Sequence, residues 1–152
     1  MIRTLLTAAC TLALASGLCA QDVKEVTLKP DNANPLAYDA ASKTFSVKAG
    51  QKVKLTLENK ATVPQPHNLL VCKPGSLMKV GAAANAMLTD PQAMAKDYVP
   101  ESAEILHHTK LAQPGQTVTL EFTAPAEAGD YVYLCTFPGH WMLMNGTMKV
   151  EK

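Results

Sequence analysis

The sequence predicts an all-β protein, a Greek-key β-sandwich of seven to eight strands with a helical insertion around residues 76–96. Three observations carry this. Short segments with apolar residues at every second position recur along the chain. Gly and Pro turns separate them. One stretch alone, rich in Ala, Met and Leu, is nearly devoid of β-branched residues.

Taken in order, "VKEVTLKP" (Val23–Pro30) and "KTFSVKAG" (Lys43–Gly50) alternate as strands. "QKVKLTLEN" (Gln51–Asn59) does so most clearly, with Val53, Leu55 and Leu57 on one face and Lys52, Lys54, Thr56 and Glu58 on the other. "ATVPQP" (Ala61–Pro66) breaks the pattern with two prolines. "HNLLVCK" (His67–Lys73) is short and mostly apolar, as a strand covered on both faces would be. Gly75–Pro100 is helix-prone, and Asp90 followed by Pro91 reads as the N-cap and first residue of a second short helix. Strand patterning returns in Gln116–Pro125, where Val118, Leu120 and Phe122 alternate, and continues through Gly129–Cys135 and Asn145–Lys152. The 152 residues fit a single domain with a sizeable core.

The first twenty residues read differently. Arg3 precedes an apolar run from Leu5 to Ala15, followed by small residues to Ala20. That is the layout of a secretory signal peptide, too short to span a bilayer. Cleavage after Ala20 leaves residues 21–152 as one domain, exported to the periplasm. A lipid anchor on Cys19 would need a small residue before it, and Leu18 is bulky. The chain holds 14 Lys and Arg against 13 Asp and Glu, so loss of Arg3 leaves the two signs equal. A neutral chain without a basic stripe excludes nucleic acid as a partner, and no later segment is apolar enough for membrane insertion.

Chemistry concentrates in "CTFPGHWMLM" (Cys135–Met144), where a thiol, an imidazole and two thioethers fall within ten residues. One thiolate, two imidazoles and a thioether are the donor set of a blue-copper centre: two His and one Cys in a plane, with a long axial Met. Cys135, His140 and Met144 supply three donors from one loop. His67, opening a buried strand after Pro66, can supply the fourth from across the sandwich.

The pattern C-T-F-P-G-H-x-x-x-M followed by x-G-T-M-K-V resembles the copper loop of azurins, which are bacterial cupredoxins. "KDYVPESAEILHHTKL" (Lys96–Leu111) resembles the azurin segment leaving the helical flap. The likeness covers roughly residues 96–150 and His67–Val71 and is weak in the first third. It implies a cupredoxin sandwich binding one copper ion through His67, Cys135 and His140 in the plane and Met144 on the axis. Azurins add a backbone carbonyl from the residue before the first histidine, usually glycine; that residue is Pro66 here, and "PHN" is closer to plastocyanin. The azurin disulfide near the N-terminus has no counterpart. The resemblance also implies that Asn68 pins the two ligand segments together through Thr136, and that the Phe137 N–H donates to the Cys135 sulfur.

Competing readings exist for each part. Met78, Met87, Met94 and Met148 suit packing better than ligation, and the family spacing favours Met144 over Met142. His107 and His108 are adjacent, so a strand would point them to opposite faces. A Cys72–Cys135 disulfide is the default for two cysteines in an oxidising compartment. However, Cys72 lies about 16 Å along a strand from His67, beyond the ~7 Å reach of a disulfide from a Cys135 that shares a metal with His67. Cys72 is therefore expected as a free, buried thiol.

The implied function is a soluble periplasmic carrier shuttling single electrons by Cu(II)/Cu(I) cycling, and not an enzyme. Its partners would be redox proteins, such as c-type cytochromes or a copper or haem reductase, met transiently. The electron would leave by the edge of His140 through an apolar patch of Phe137, Pro138, Trp141, Met142 and Pro64. Azurins usually carry a small residue where Trp141 stands. The alternatives are a periplasmic copper carrier or store, or the electron-donor module of a copper reductase. A second, histidine-rich copper site would be hard to build from four histidines. Zinc could also fill such an N/S site.

Overall fold

The computed structural model describes residues 22–152. The expected signal peptide at 1–20 lies outside the described residues. Among the described residues eight strands form: β1 (Lys24–Leu28), β2 (Thr44–Lys48), β3 (Lys52–Glu58), β4 (Leu70–Cys72), β5 (Ile105–His108), β6 (Thr117–Thr123), β7 (Gly129–Leu134) and β8 (Asn145–Glu151). They make a three-stranded sheet in the order β1-β3-β6 and a five-stranded sheet in the order β2-β8-β7-β4-β5. This is the expected sandwich, with parallel pairing of β1 to β3 and of β2 to β8.

Alternation places the core. In β3, Val53, Leu55 and Leu57 are buried and pair across to Phe122, Leu120 and Val118 of β6. They meet Val71, Tyr133 and Met148 from the other sheet in the main hydrophobic cluster. In β7, Tyr131 and Tyr133 face this cluster, while Val132 and Leu134 face the outside of the five-stranded sheet. That outer face is covered by helix α1 (Leu77–Ala86), whose Val80 and Ala84 pack on Leu70, Cys72 and Leu134. So β4, buried at all three positions, is covered on both sides as its composition predicts. Cys72 ends in this second cluster as a free buried thiol, its pKa pushed up to about 12 by burial and then by the charge of Glu104.

The insertion departs from expectation after α1. A 3-10 turn covers Met87–Thr89, and residues 91–98 wind as successive turns rather than as a second helix. Asp90 does begin like a cap, accepting the Gln92 N–H at 2.8 Å, but the segment ends with Asp97 and Tyr98 both in the left-handed region at φ 54°. Their carbonyls are used elsewhere. Asn68 Nδ2 donates to Asp97 at 2.7 Å, and Thr136 Oγ1 donates to Tyr98 at 2.7 Å. Two tertiary hydrogen bonds thus override the local helix signals. Among the described residues no helix is long and apolar enough to cross a membrane.

Candidate metal centre

Three donors converge at one end of the sandwich. Cys135 directly follows β7, and its N–H donates to the Met144 carbonyl at 2.9 Å, closing the loop that holds both. Within that loop, Gly139 takes φ 82°, a conformation that favours glycine, and the His140 carbonyl accepts the N–H groups of Leu143 and Met144. His67 comes from the other segment, 73 positions earlier in the chain. Paired hydrogen bonds to Ala112, at 3.0 and 2.7 Å, hold it against the chain leading into β6.

The donor atoms form a triangle. His67 Nδ1 and His140 Nδ1 lie 3.1 Å apart, and Cys135 Sγ is 3.8 Å from the first and 3.6 Å from the second. A point equidistant from all three is about 2 Å from each, close to the ~2.0–2.1 Å metal–nitrogen and ~2.3 Å metal–sulfur bonds of zinc sites built from the same donors. At most one proton fits between the two nitrogens, so the lone pairs of three soft or borderline donors share a small volume, as a metal ion requires. His67, Cys135 and Met144 are wholly buried and His140 is 1 % exposed. Met144 packs in the same cluster as Cys135. Pro66 is half-buried beside His67.

Burial sets the protonation states. It holds His67 down to about 4, helped by the neighbouring His140, and holds His140 down to about 4. It pushes the Cys135 thiol up to about 12, against the opposing effect of the backbone N–H groups of Asn68 and Phe137. The imidazoles are thus neutral and ready to donate, whereas the thiol must lose a proton to bind a metal. The Phe137 effect runs in the direction the resemblance to azurins implies, and the Asn68 effect was not foreseen.

Asn68 and Thr136 join the ligand segments directly. Asn68 Oδ1 accepts the Thr136 N–H at 2.8 Å, and Asn68 Nδ2 donates to Thr136 Oγ1 at 2.9 Å. Both side chains are buried.

Trp141 requires correction. It was expected on the apolar surface beside His140, and it is 7 % exposed. Its indole lies on Gly81 of α1, where any Cβ would collide with the ring, and its Nε1 donates to Asn85 Oδ1 at 3.0 Å. Trp141 therefore docks the helical insertion onto the sandwich. Gly81 and Asn85, four apart on one helix face, are the sequence signal that could have shown this. The other expected patch residues stay near the surface: Met142 and Pro64 are exposed and Pro138 and Phe137 half-buried, and their sequence neighbours Leu143 and Val63 are also exposed.

Nor is the edge of His140 bare. Its Nε2 meets Gln65 Oε1 at 2.8 Å. His107 stacks on Phe122 at 4.7 Å between centroids, and His108 is exposed, so neither reaches the centre.

Residues 24–151 match the family model described as "Copper binding proteins, plastocyanin/azurin family". The chain is 38% identical over 117 residues to auracyanin-A of Chloroflexus aurantiacus, covering 76% of this chain and 68% of that protein. It is 31% identical over 124 residues to azurin-2 of Alcaligenes xylosoxydans xylosoxydans, covering 78% and 87%. The solved structure of auracyanin A, a "blue" copper protein from the same Chloroflexus species, superposes with a TM-score of 0.74 at 34% identity, covering 86% of this chain and 100% of that one.

Proposed function

Since this chain belongs to the plastocyanin/azurin family of copper-binding proteins, we propose that it is a periplasmic electron carrier in which His67, Cys135, His140 and Met144 would hold one copper ion. The carrying observation is the triangle of two ring nitrogens and one sulfur, all buried. Copper in such a set supplies a one-electron couple between Cu(II) and Cu(I). The chain's part is rigidity: the Asn68–Thr136 clamp and the turn around Gly139 fix the donors before any ion arrives, so little has to move when the charge changes. Residues 1–20 direct export and residues 21–152 form the carrier.

Exposed Met142, Leu143, Val63 and Pro64 beside the centre offer an apolar contact for a redox partner, a c-type cytochrome or a copper or haem reductase. Among the described residues the two remaining histidines build no second cluster, since His107 is stacked on Phe122 and His108 faces solvent. A copper store draws support from exposed Met78, Met94 and Met142, but the convergent donors are buried, as suits retention rather than exchange.

The test is a visible and electron paramagnetic resonance spectrum of copper-loaded protein. The expected result is an intense thiolate-to-Cu(II) band that bleaches reversibly on reduction and is lost in Cys135→Ser. A colourless adduct, or a Cys135 that still reacts with thiol reagents in the loaded protein, would remove this reading. X-ray absorption on the same sample reads whether the Pro66 carbonyl contributes an oxygen donor.

A further inference from the structure

We propose that Gln65 is a positioning residue of the metal centre: its side-chain carbonyl takes the Nε2 proton of His140, which leaves the Nδ1 lone pair aimed at Cys135 and His67, and its amide covers the ring edge. This rests on the copper reading above and deepens it.

The geometry is specific. Gln65 Oε1 lies 2.8 Å from His140 Nε2, on the side of the ring away from Cys135. An imidazole that offers Nδ1 to a metal must carry its proton on Nε2, and that proton needs an acceptor when the ring is 1 % exposed. Gln65 provides it. The reverse amide orientation would place a proton on Nδ1, inside the donor triangle, and block it.

The backbone is built to present this amide. Gln65 sits between Pro64 and Pro66, which restrict its own and its neighbours' dihedrals. Asn59, 2 % exposed at the end of β3, donates through Nδ2 to the Gln65 carbonyl at 2.8 Å and to the Ala112 carbonyl at 2.9 Å. Ala112 is also the residue that pairs with His67. One asparagine thereby ties the backbone of Gln65 to the segment that pairs with His67. A glutamine chosen only for solubility would not need this support.

Three variants separate the roles. Gln65→Met keeps length and cover but has no strong acceptor, Gln65→Glu keeps the acceptor, and Gln65→Ala removes both. In metal-free protein at neutral pH, 15N shifts of His140 should report one tautomer, protonated on Nε2, in wild type and Gln65→Glu. Gln65→Met should show tautomer mixing, and its Cu(II) affinity should fall about 10–100-fold, with Gln65→Glu retaining it. Gln65→Ala should lose affinity similarly and also gain in electron self-exchange rate, because the ring edge is uncovered. A wild-type His140 protonated on Nδ1, or a Gln65→Met protein with unchanged tautomer and affinity, overturns the proposal. If wild type binds copper without a blue band, the copper reading fails, while the tautomer measurement still decides the role of Gln65.

Discussion

At the scale of single residues, the centre works by forcing donors into protonation states that differ in their cost of use. The imidazoles of His67 and His140 are neutral above about pH 4, and the Cys135 thiol keeps its proton up to about 12. Metal uptake between these limits must therefore expel the thiol proton. Apparent affinity should rise about tenfold per pH unit from roughly pH 5 to 9, and calorimetry in buffers of different ionisation enthalpy should find about one proton released per ion. No released proton at pH 7 would mean that the metal-free protein already holds a thiolate. Asn68 is the second critical residue, since it satisfies groups on Asp97 and Thr136 at once. Asn68→Ala should cost about 3 kcal/mol in urea unfolding of the metal-free protein, because it strands buried partners. The donor set was legible from residue types and spacing, and the Asn68–Thr136 pair only through the resemblance to azurins. Gln65 and the second backbone donor were not, because an amide near a ring edge leaves no periodic or compositional trace.

At the scale of elements, Trp141 and α1 form a joint. Trp141→Ala should cost about 3–5 kcal/mol as a large core truncation. Gly81→Ala should cost about 1–3 kcal/mol by overpacking, since the indole occupies the space its Cβ needs. Both are read by thermal or urea denaturation, and a neutral Gly81→Ala would mean that the indole is not seated on the helix. The turn ending at Asp97 and Tyr98 offers a sharper contrast. Asp97 Oδ1 accepts the Leu111 N–H at 2.9 Å while its backbone is left-handed. Asp97→Asn keeps that acceptor in a residue that tolerates the conformation and should be neutral or stabilising. Asp97→Ala should lose about 1–2 kcal/mol. Strands were legible because alternation survives wherever one face is dry, as in β3, and an apolar run betrayed β4. Asp90 and Pro91 are helix-starting residues, which is why the sequence predicts a second short helix where residues 91–98 form turns. What decides it is the pair of carbonyls delivered to Asn68 and Thr136, contacts set by the fold and invisible in a local window.

At the scale of the whole molecule, the proposed cleavage after Ala20 would leave equal numbers of charges and little long-range steering. Electron transfer to a partner through the apolar surface should change less than about threefold between ~0.01 and ~0.2 M salt. Stopped-flow rates across that range check it, and a steep fall would locate a charged docking site elsewhere. The spacing of the histidines carries a last consequence. His67 and His140 stand 73 positions apart, so an ion shared between them staples the chain much as a disulfide of similar loop length does, an effect of about 4 kcal/mol in chain-entropy terms. The staple would sit in a dry interior that a chelator cannot enter. Extraction of the ion should then run at the pace of global opening, making the holoprotein a kinetic trap for its metal.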